Sequence, residues 1–333
     1  MKMTLLLLSI PLLALLNLMV GSVPIPLGEV TDILLGIGAG DEVSRNIVLH
    51  TRLPQTLTAI ACGAGLSMAG LQMQTLFRNP LAGPSVLGIS SAASLGVAFV
   101  VLLSGTLGGG VLSRFGLVGN MALTAAAISG ALLAMLLIVW LSRRVEGRAT
   151  LLIVGVLIGY IASAVIGVLK YFSTEEDIRA YVIWGLGSFA RVTGGQVRLF
   201  VTLMAVLCPL SVLLAKPLNA LLLGERYAAN LGVDVRRARM LIIGSAGILT
   251  AVTTAYCGPI MFLGLAVPHI ARGIFHTADH RTLLPATMLC GASLALVCNL
   301  IARMPGMEGA LPINSVTALI GAPVALTILL RKK

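Results

Sequence analysis

Few side chains in this sequence could do chemistry, and they do not form a known catalytic motif. His269, His276 and His280 lie near Asp279 and could be read as metal ligands. Metal binding needs convergent ligands, and we interpret these histidines instead as contacts to loops or to a partner. No Ser-His-Asp, H-E-x-x-H or paired-carboxylate arrangement supports a membrane enzyme. We therefore predict no catalytic residue and no metal site.

The elements that carry these residues are predicted to lie in a membrane. Hydrophobic residues make up 58% of the 333 positions and charged residues 11%, whereas about a quarter of a soluble domain is charged. A span needs about 20 apolar residues, so the chain has room for about ten helices. We predict an all-α integral membrane protein with a single transmembrane domain over 1–333. The net charge of +11 is clustered between apolar runs, so lipid is the expected partner and nucleic acid is not.

Ten apolar stretches are predicted as spans. The first is interpreted as an uncleaved span because it is longer than a signal-peptide core. The eighth opens at Gly258-Pro259 and is predicted to break at Pro268, which places it inside the protein near a translocation path. The stretches are 3–21, 53–76, 84–104, 118–141, 149–171, 199–217, 239–257, 259–274, 282–302 and 311–330.

Charge fixes the predicted orientation. Ten spans place both termini on one side, together with 15 of the 23 Lys and Arg residues, and the other side holds eight. An excess of positive charge marks the cytoplasmic face. We therefore expect a multi-pass protein of the cytoplasmic (inner) membrane with both termini in the cytoplasm.

The acidic residues indicate where energy for transport would come from. All 12 Asp and Glu lie in loops or at helix ends, whereas ion-coupled carriers generally need an ionisable group or an ion site within the bilayer. The chain has no GxxxxGK[ST] phosphate loop. We expect no cofactor on this chain, with ATP and Mg bound by a separate ATPase subunit. An ATP-independent secondary transporter or channel remains the alternative.

Two local patterns have structural consequences. The loop over about 217–238 is predicted to contain a short helix within Leu223–Gly232, with Gly232 as a left-handed stop and Asp234 capping the next helix. Two short helices joined by a tight elbow would form a rigid lever for the ATPase. In the fifth span Gly155, Gly159, Ser163 and Gly167 recur every fourth position, and we favour helix packing over pore lining for such a stripe.

Several motifs, in order, resemble the FecCD-type permease family, the membrane subunits of ABC importers for ferric siderophores, haem and cobalamin. The coupling-loop sequence LGERYAANLGV begins at Leu223. The other matching stretches are Arg52-Leu53-Pro54, Arg78 to Pro84, Gly258 to Arg272, Asp279-His280-Arg281, and Leu311-Pro312 with Gly321-Ala322-Pro323.

The resemblance implies a type II ABC importer permease fold. It implies a homodimer served by two ATP-binding cassette ATPase subunits and an extracytoplasmic substrate-binding protein. The pathway would lie at the two-fold axis, lined by the fifth span through Gly155, Gly159, Ser163 and Gly167. Ferric siderophore is the first expected cargo, followed by haem and cobalamin.

The resemblance also implies residue roles. Asn79 and Leu81 match a cytoplasmic gate, and Arg52 and Arg303 match outer arginines that pair with carboxylates of the binding protein. The family's frequent second arginine, three residues after the first, is Gln55 here, which weakens that contact. Contacts to the ATPase are expected from Leu223, Gly224, Glu225, Ala228, Leu231 and Gly232.

Overall fold

The computed structural model describes residues 1–37, 41–104, 116–144, 148–304 and 310–330, and the regular structure in these ranges is helical. A π-helical turn (Ile47–Arg52) leads into the fourth helix, and a 3₁₀ turn (Pro84–Leu87) precedes the fifth. The helices are α1 (Lys2–Met19), α2 (Leu27–Leu35), α3 (Glu42–Asn46), α4 (Leu53–Phe77), α5 (Ile89–Ser104), α6 (Gly116–Arg144), α7 (Arg148–Tyr171), α8 (Glu175–Gly185), α9 (Gly195–Val212), α10 (Ala215–Leu223), α11 (Glu225–Asn230), α12 (Val235–Cys257), α13 (Leu263–Phe275), α14 (His280–Ala302) and α15 (Ile313–Leu330).

Each predicted span contains one apolar helix. Within the described ranges seven helices are long and apolar enough to cross a membrane (α1, α4, α6, α7, α9, α12 and α14), and α5, α13 and α15 are shorter apolar helices. The predicted all-α membrane fold is therefore confirmed. The sixth span lies nearer the N-terminus than predicted, because α9 begins at Gly195 and ends at Val212, and a separate helix, α10, begins at Ala215.

Helix α4 is the centre of the bundle, where it is almost entirely buried and contacts α9, α12, α13 and α14. Its small residues allow this. A β-carbon built on Gly63 would lie 2.3 Å from Gly291 O, and one built on Gly291 would lie 2.3 Å from Gly63 O. Backbones this close leave room only for glycine, so Gly63 and Gly291 allow α4 and α14 to pack together.

The prediction that Pro268 breaks the eighth span is wrong. Helix α13 continues through Pro268, and the irregular backbone lies before it, at Gly258–Phe262. Proline cannot donate to the carbonyl four residues earlier, which here belongs to Gly264. That oxygen faces α4, where a β-carbon on Gly70 would lie only 1.7 Å from it. A neighbouring helix therefore covers the carbonyl that Pro268 leaves without its usual donor.

Candidate functional site

The predicted coupling loop folds as an elbow of two short helices, α10 and α11. Gly224 (φ 119°) separates them, and Gly232 (φ 80°) ends the second in the left-handed region. Asp234 then caps α12 by accepting a hydrogen bond from Arg237 N at 2.9 Å. The short helix, its glycine stop and the following cap were all predicted from sequence, and the structure confirms them.

The elbow is fixed to the bundle on one side and exposed on the other. Glu225 Oε1 accepts a charge-assisted hydrogen bond from Arg239 Nη2 of α12 at 2.8 Å. Ala228 lies on the buried face of α11. Leu223, Tyr227 and Leu231 are 64%, 53% and 59% exposed. Large apolar side chains exposed together are typical of a protein interface.

The 78–81 segment directly follows α4 and contains the two predicted gate residues. Asn79 N donates to Gln74 O at 3.2 Å, and Asn79 Oδ1 accepts from Leu81 N at 2.9 Å. Arg78 has a left-handed backbone (φ 49°) and extends its side chain to α10. Its Nη2 donates to Leu221 O at 2.9 Å and to Leu222 O at 3.0 Å. The gate residues therefore adjoin a direct contact between α4 and the elbow.

The histidines make separate contacts. His269 Nε2 lies 2.7 Å from Pro80 O, and the exposed His276 has its Nδ1 3.2 Å from Ile274 O. His280 lies between Thr75 Oγ1 of α4 and Asn219 Oδ1 of α10, 2.8 Å from each. Over the described ranges no three His, Cys, Asp or Glu side chains are grouped so that they could hold a metal ion.

Asp279 caps α14 beside this histidine contact. Its carboxylate accepts from Arg281 N at 3.0 Å and from the Asn219 side-chain amide at 2.5 Å. The hydrogen bond from Arg281 N has the larger effect and that from Asn219 the smaller, and together they lower the pKa of Asp279 below its ordinary value. The carboxylate is exposed and ionised at neutral pH, and it helps to orient Asn219 towards His280.

Arg52, at the opposite end of α4, is buried, whereas the resemblance implies an exposed arginine at this position. It is 3% exposed, and its Nη1 donates to Leu18 O at 2.7 Å and Met19 O at 2.9 Å, while Nη2 donates to Val23 O. These carbonyls lie at and beyond the C-terminus of α1, where orphan carbonyls attract a cation. The guanidinium therefore holds α1 against α4.

Arg303 lies close to Arg52. Its Nη2 donates to Asn17 O at 2.9 Å and Asn17 Oδ1 at 3.0 Å. Burial, then the charge of Arg52, lowers the pKa of Arg303 to about 10, so it stays protonated at neutral pH. Both arginines line a cavity of about 260 Å³ together with Gln55 and Thr51. The structure thus brings the two predicted docking residues together at one end of the bundle.

A buried amide network at this end was missed from sequence. Gln55 Nε2 donates to Asn299 Oδ1 at 3.0 Å, and Asn299 Nδ2 donates to Asn17 Oδ1 at 2.8 Å. This series of hydrogen bonds joins α1, α4 and α14. The signal was two asparagines within apolar spans, since polar side chains there commonly bond between helices. Gln55, read as the loss of an arginine, has this structural role instead.

The stripe on α7 divides into two halves. Gly155 is buried against the 3₁₀ turn, where a β-carbon on it would lie 2.5 Å from Val86 O, and Gly159 packs near Ser91. Ser163 and Gly167 are exposed. These two line a polar cavity of about 340 Å³. The rest of its lining is Ser91, Ser94, Ile166, Lys170 and Tyr181.

Comparisons with known proteins agree with this geometry. Residues 6–331 match the FecCD transport family. The chain is 41% identical over 286 residues to the vitamin B12 import system permease protein BtuC of Klebsiella pneumoniae subsp. pneumoniae, covering 86% of this chain and 83% of the relative. For BtuC of Escherichia coli O6:H1 the identity is 39% over 284 residues, covering 85% and 83%. A solved structure described as an inward-facing metal-chelate type ABC transporter superimposes with a TM-score of 0.84 at 29% identity and 99% coverage of both chains.

Proposed function

The chain belongs to the FecCD transport family and is a permease subunit of an ABC importer, and from that membership we propose that it carries cobalamin, or a closely similar metal chelate, into the cytoplasm. The observation that supports an ATP-driven mechanism is the α10–α11 elbow. It joins the bundle at Arg78 and Glu225 and exposes apolar side chains outward. Such an arrangement suits a partner that pushes on the membrane helices.

The cargo proposal rests on the named relatives. The relatives at 41% and 39% identity are named for vitamin B12 import. We therefore place cobalamin ahead of the ferric siderophore that the sequence resemblance suggested first. The solved metal-chelate transporter favours another metal chelate as the second candidate.

The ATPase subunits are proposed to bind the elbow. Leu223, Tyr227 and Leu231 would enter the partner's surface, and Gly224 and Gly232 would hold the elbow rigid. Glu225 passes motion to α12 through Arg239, at 2.8 Å. Because the contact side chains are apolar, docking would bury apolar surface, and the affinity would depend only weakly on salt concentration.

The pathway is proposed to form between two copies of this chain, with α7 facing it. Ser163 and Gly167, in the exposed half of α7, border the 340 Å³ polar cavity. The hydroxyl groups that line this cavity and the Lys170 ammonium suit a large polar cargo. Gly155 and Gly159 would keep α7 close to the 3₁₀ turn and α5. Asn79 and Leu81 would close the cytoplasmic end, with both termini on that side.

The secreted binding protein is proposed to dock at the opposite end. Arg52 and Arg303 place two positive charges around the 260 Å³ cavity, and a carboxylate from each lobe of the partner would be attracted there. Since Arg52 already binds three backbone carbonyls, we expect it to shape the surface and Arg303 to make more of the contact. Charges of this kind mainly steer and orient a partner.

Reconstitution tests the proposal. The chain, co-expressed with a P-loop ATPase and a binding protein from the same source, is placed in vesicles, and ATP-driven uptake of cyanocobalamin is compared with uptake of a ferric siderophore. Saturable, ATP-dependent cyanocobalamin uptake is expected. Preference for the siderophore would overturn the cargo. Accumulation by the chain alone, driven by a pH or sodium gradient, would overturn the ABC mechanism and favour a secondary transporter.

A further inference from the structure

Arg78 provides a direct physical link between the elbow and the 78–81 segment. The segment begins where α4 ends, and the guanidinium of its first residue reaches the C-terminus of α10. The last carbonyls of a helix lack intrahelical donors and carry partial negative charge. A guanidinium that donates to two of them forms a charge-assisted contact, stronger than a neutral hydrogen bond.

The contact is tight on the elbow side. A β-carbon on Gly224 would lie 3.1 Å from Arg78 Nη2, so the hinge residue between α10 and α11 packs against the same guanidinium. The exposed cavity beside it, about 520 Å³, is lined by Arg78 and by residues of α11. Of the 78–81 segment, Arg78 is the residue that shares this cavity with the elbow.

The segment is held on its other side as well. His269 of α13 bonds Pro80 O at 2.7 Å, and Asn79 bonds back to Gln74 of α4. Gln74 in turn accepts from Arg272 Nη1 at 2.7 Å. The segment is thus fixed to α4 and α13 through Asn79 and Pro80, and the hydrogen bonds of Arg78 connect it directly to α10.

We propose that Arg78 is the positioning residue that couples movement of the α10–α11 elbow to the 78–81 segment, and so makes opening of the gate at Asn79 and Leu81 depend on the ATPase. This rests on the proposed function and adds a second transmission route to the one through Glu225 and Arg239. The two routes have different targets, because Glu225 acts on α12 and Arg78 on the end of α4.

The test measures coupling rather than activity alone. Arg78→Gln and Arg78→Lys are made in the assembled complex with its ATPase and binding protein, and cyanocobalamin imported per ATP hydrolysed is determined. Arg78→Gln should lose at least about five-fold in this ratio while hydrolysis changes less than about two-fold. Arg78→Lys, which keeps the positive charge and replaces the guanidinium with an ammonium donor, should restore a large part of the ratio. Lys216→Gln, an equal loss of charge on an exposed residue of α10, is the matched control and should behave as wild type.

A reporter separates coupling from a purely structural role. Ser85 is exposed just beyond the segment, and all five native cysteines are buried, so a fluorophore can be placed on Ser85→Cys. Binding of a non-hydrolysable ATP analogue should shift its emission in wild type and in Lys216→Gln, and the shift should fall by at least half in Arg78→Gln.

The outcomes are distinguishable. A wild-type complex without ATP-dependent uptake would overturn the proposed function. A wild-type complex that transports, beside an Arg78→Gln variant with an unchanged ratio and an unchanged Ser85 signal, would overturn the coupling role alone. A lysine variant no better than the glutamine variant would also overturn it. If Arg78→Gln does not assemble, Arg78→Met, which also removes the charge but keeps most of the side-chain stem, carries the reporter test, and a Ser85 shift equal to that of wild type would refute the proposal.

Discussion

The contact between α4 and α13 at Gly70 should tolerate no side chain. A β-carbon on Gly70 would lie 1.7 Å from Gly264 O and 2.4 Å from Gly264 C. Real β-carbons essentially never come within 3.0 Å of another heavy atom, so the two backbones would have to separate by about 1.3 Å. Both sides of the contact are backbone and neither can rotate away. Overpacking a core usually destabilises by about 1–3 kcal/mol, and we expect Gly70→Ala to reach the upper end, about 3 kcal/mol.

Gly244→Ala is the matched control, because Gly244 lies within α12 with no atom near its missing β-carbon. Replacing it should be neutral or slightly stabilising, since alanine has a higher helix propensity than glycine by about 1 kcal/mol. Reversible unfolding of both variants in mixed micelles gives the free energies directly. If Gly70→Ala were as stable as Gly244→Ala, the close approach of α4 and α13 would be refuted.

Three further perturbations have defined outcomes. Glu225→Gln should lower import per ATP hydrolysed while leaving the purified chain as stable as wild type within about 1 kcal/mol, because its pair with Arg239 is partly exposed; normal import would show that the elbow does not transmit motion. Asn299→Leu removes the buried acceptor of Gln55 Nε2 and one of the donors to Asn17 Oδ1, and it should lower the free energy of unfolding by about 1–3 kcal/mol; an unchanged free energy would show that water replaces the amide. Asp279→Asn should be less stable than wild type at about pH 6, and the difference should shrink as pH falls through the lowered pKa of Asp279, because a carboxylate with a depressed pKa stabilises the fold only while ionised; a difference independent of pH would contradict this.

Composition and the lengths of the apolar runs were sufficient to predict the ten apolar helices, because a helix in lipid must satisfy its own backbone over a fixed length. The second helix of the elbow, its glycine stop and the cap of the following helix were equally readable from local signals, whereas α10 and the hinge at Gly224 were not predicted. Position 232 has a left-handed backbone, which favours glycine over residues with a side chain, and Asp234 accepts a hydrogen bond from the first turn of the next helix. These features depend on neighbours in sequence, so the sequence carries them.

Contacts between distant residues were harder to predict. Arg52 was predicted to be exposed, and the structure buries it on the end of α1, a partner 33 to 34 residues away in sequence. Pro268 was predicted to break its helix, but the carbonyl that it leaves without a donor belongs to Gly264 and faces Gly70, 194 positions earlier. The role of Gln55 depends on Asn299, 244 residues later. Each of these outcomes is decided by packing between helices, which a motif in one segment does not contain.

Helix α4 physically joins the two ends of the molecule. It begins directly after Arg52, which binds α1, and ends directly before Arg78, which binds α10. Along its length it contacts α13 at Gly70 and α14 at Gly63, where the backbones are so close that no side chain fits between them. A helix held this closely cannot bend locally without losing those contacts. We therefore expect movement at either end to displace α4 together with α13 and α14.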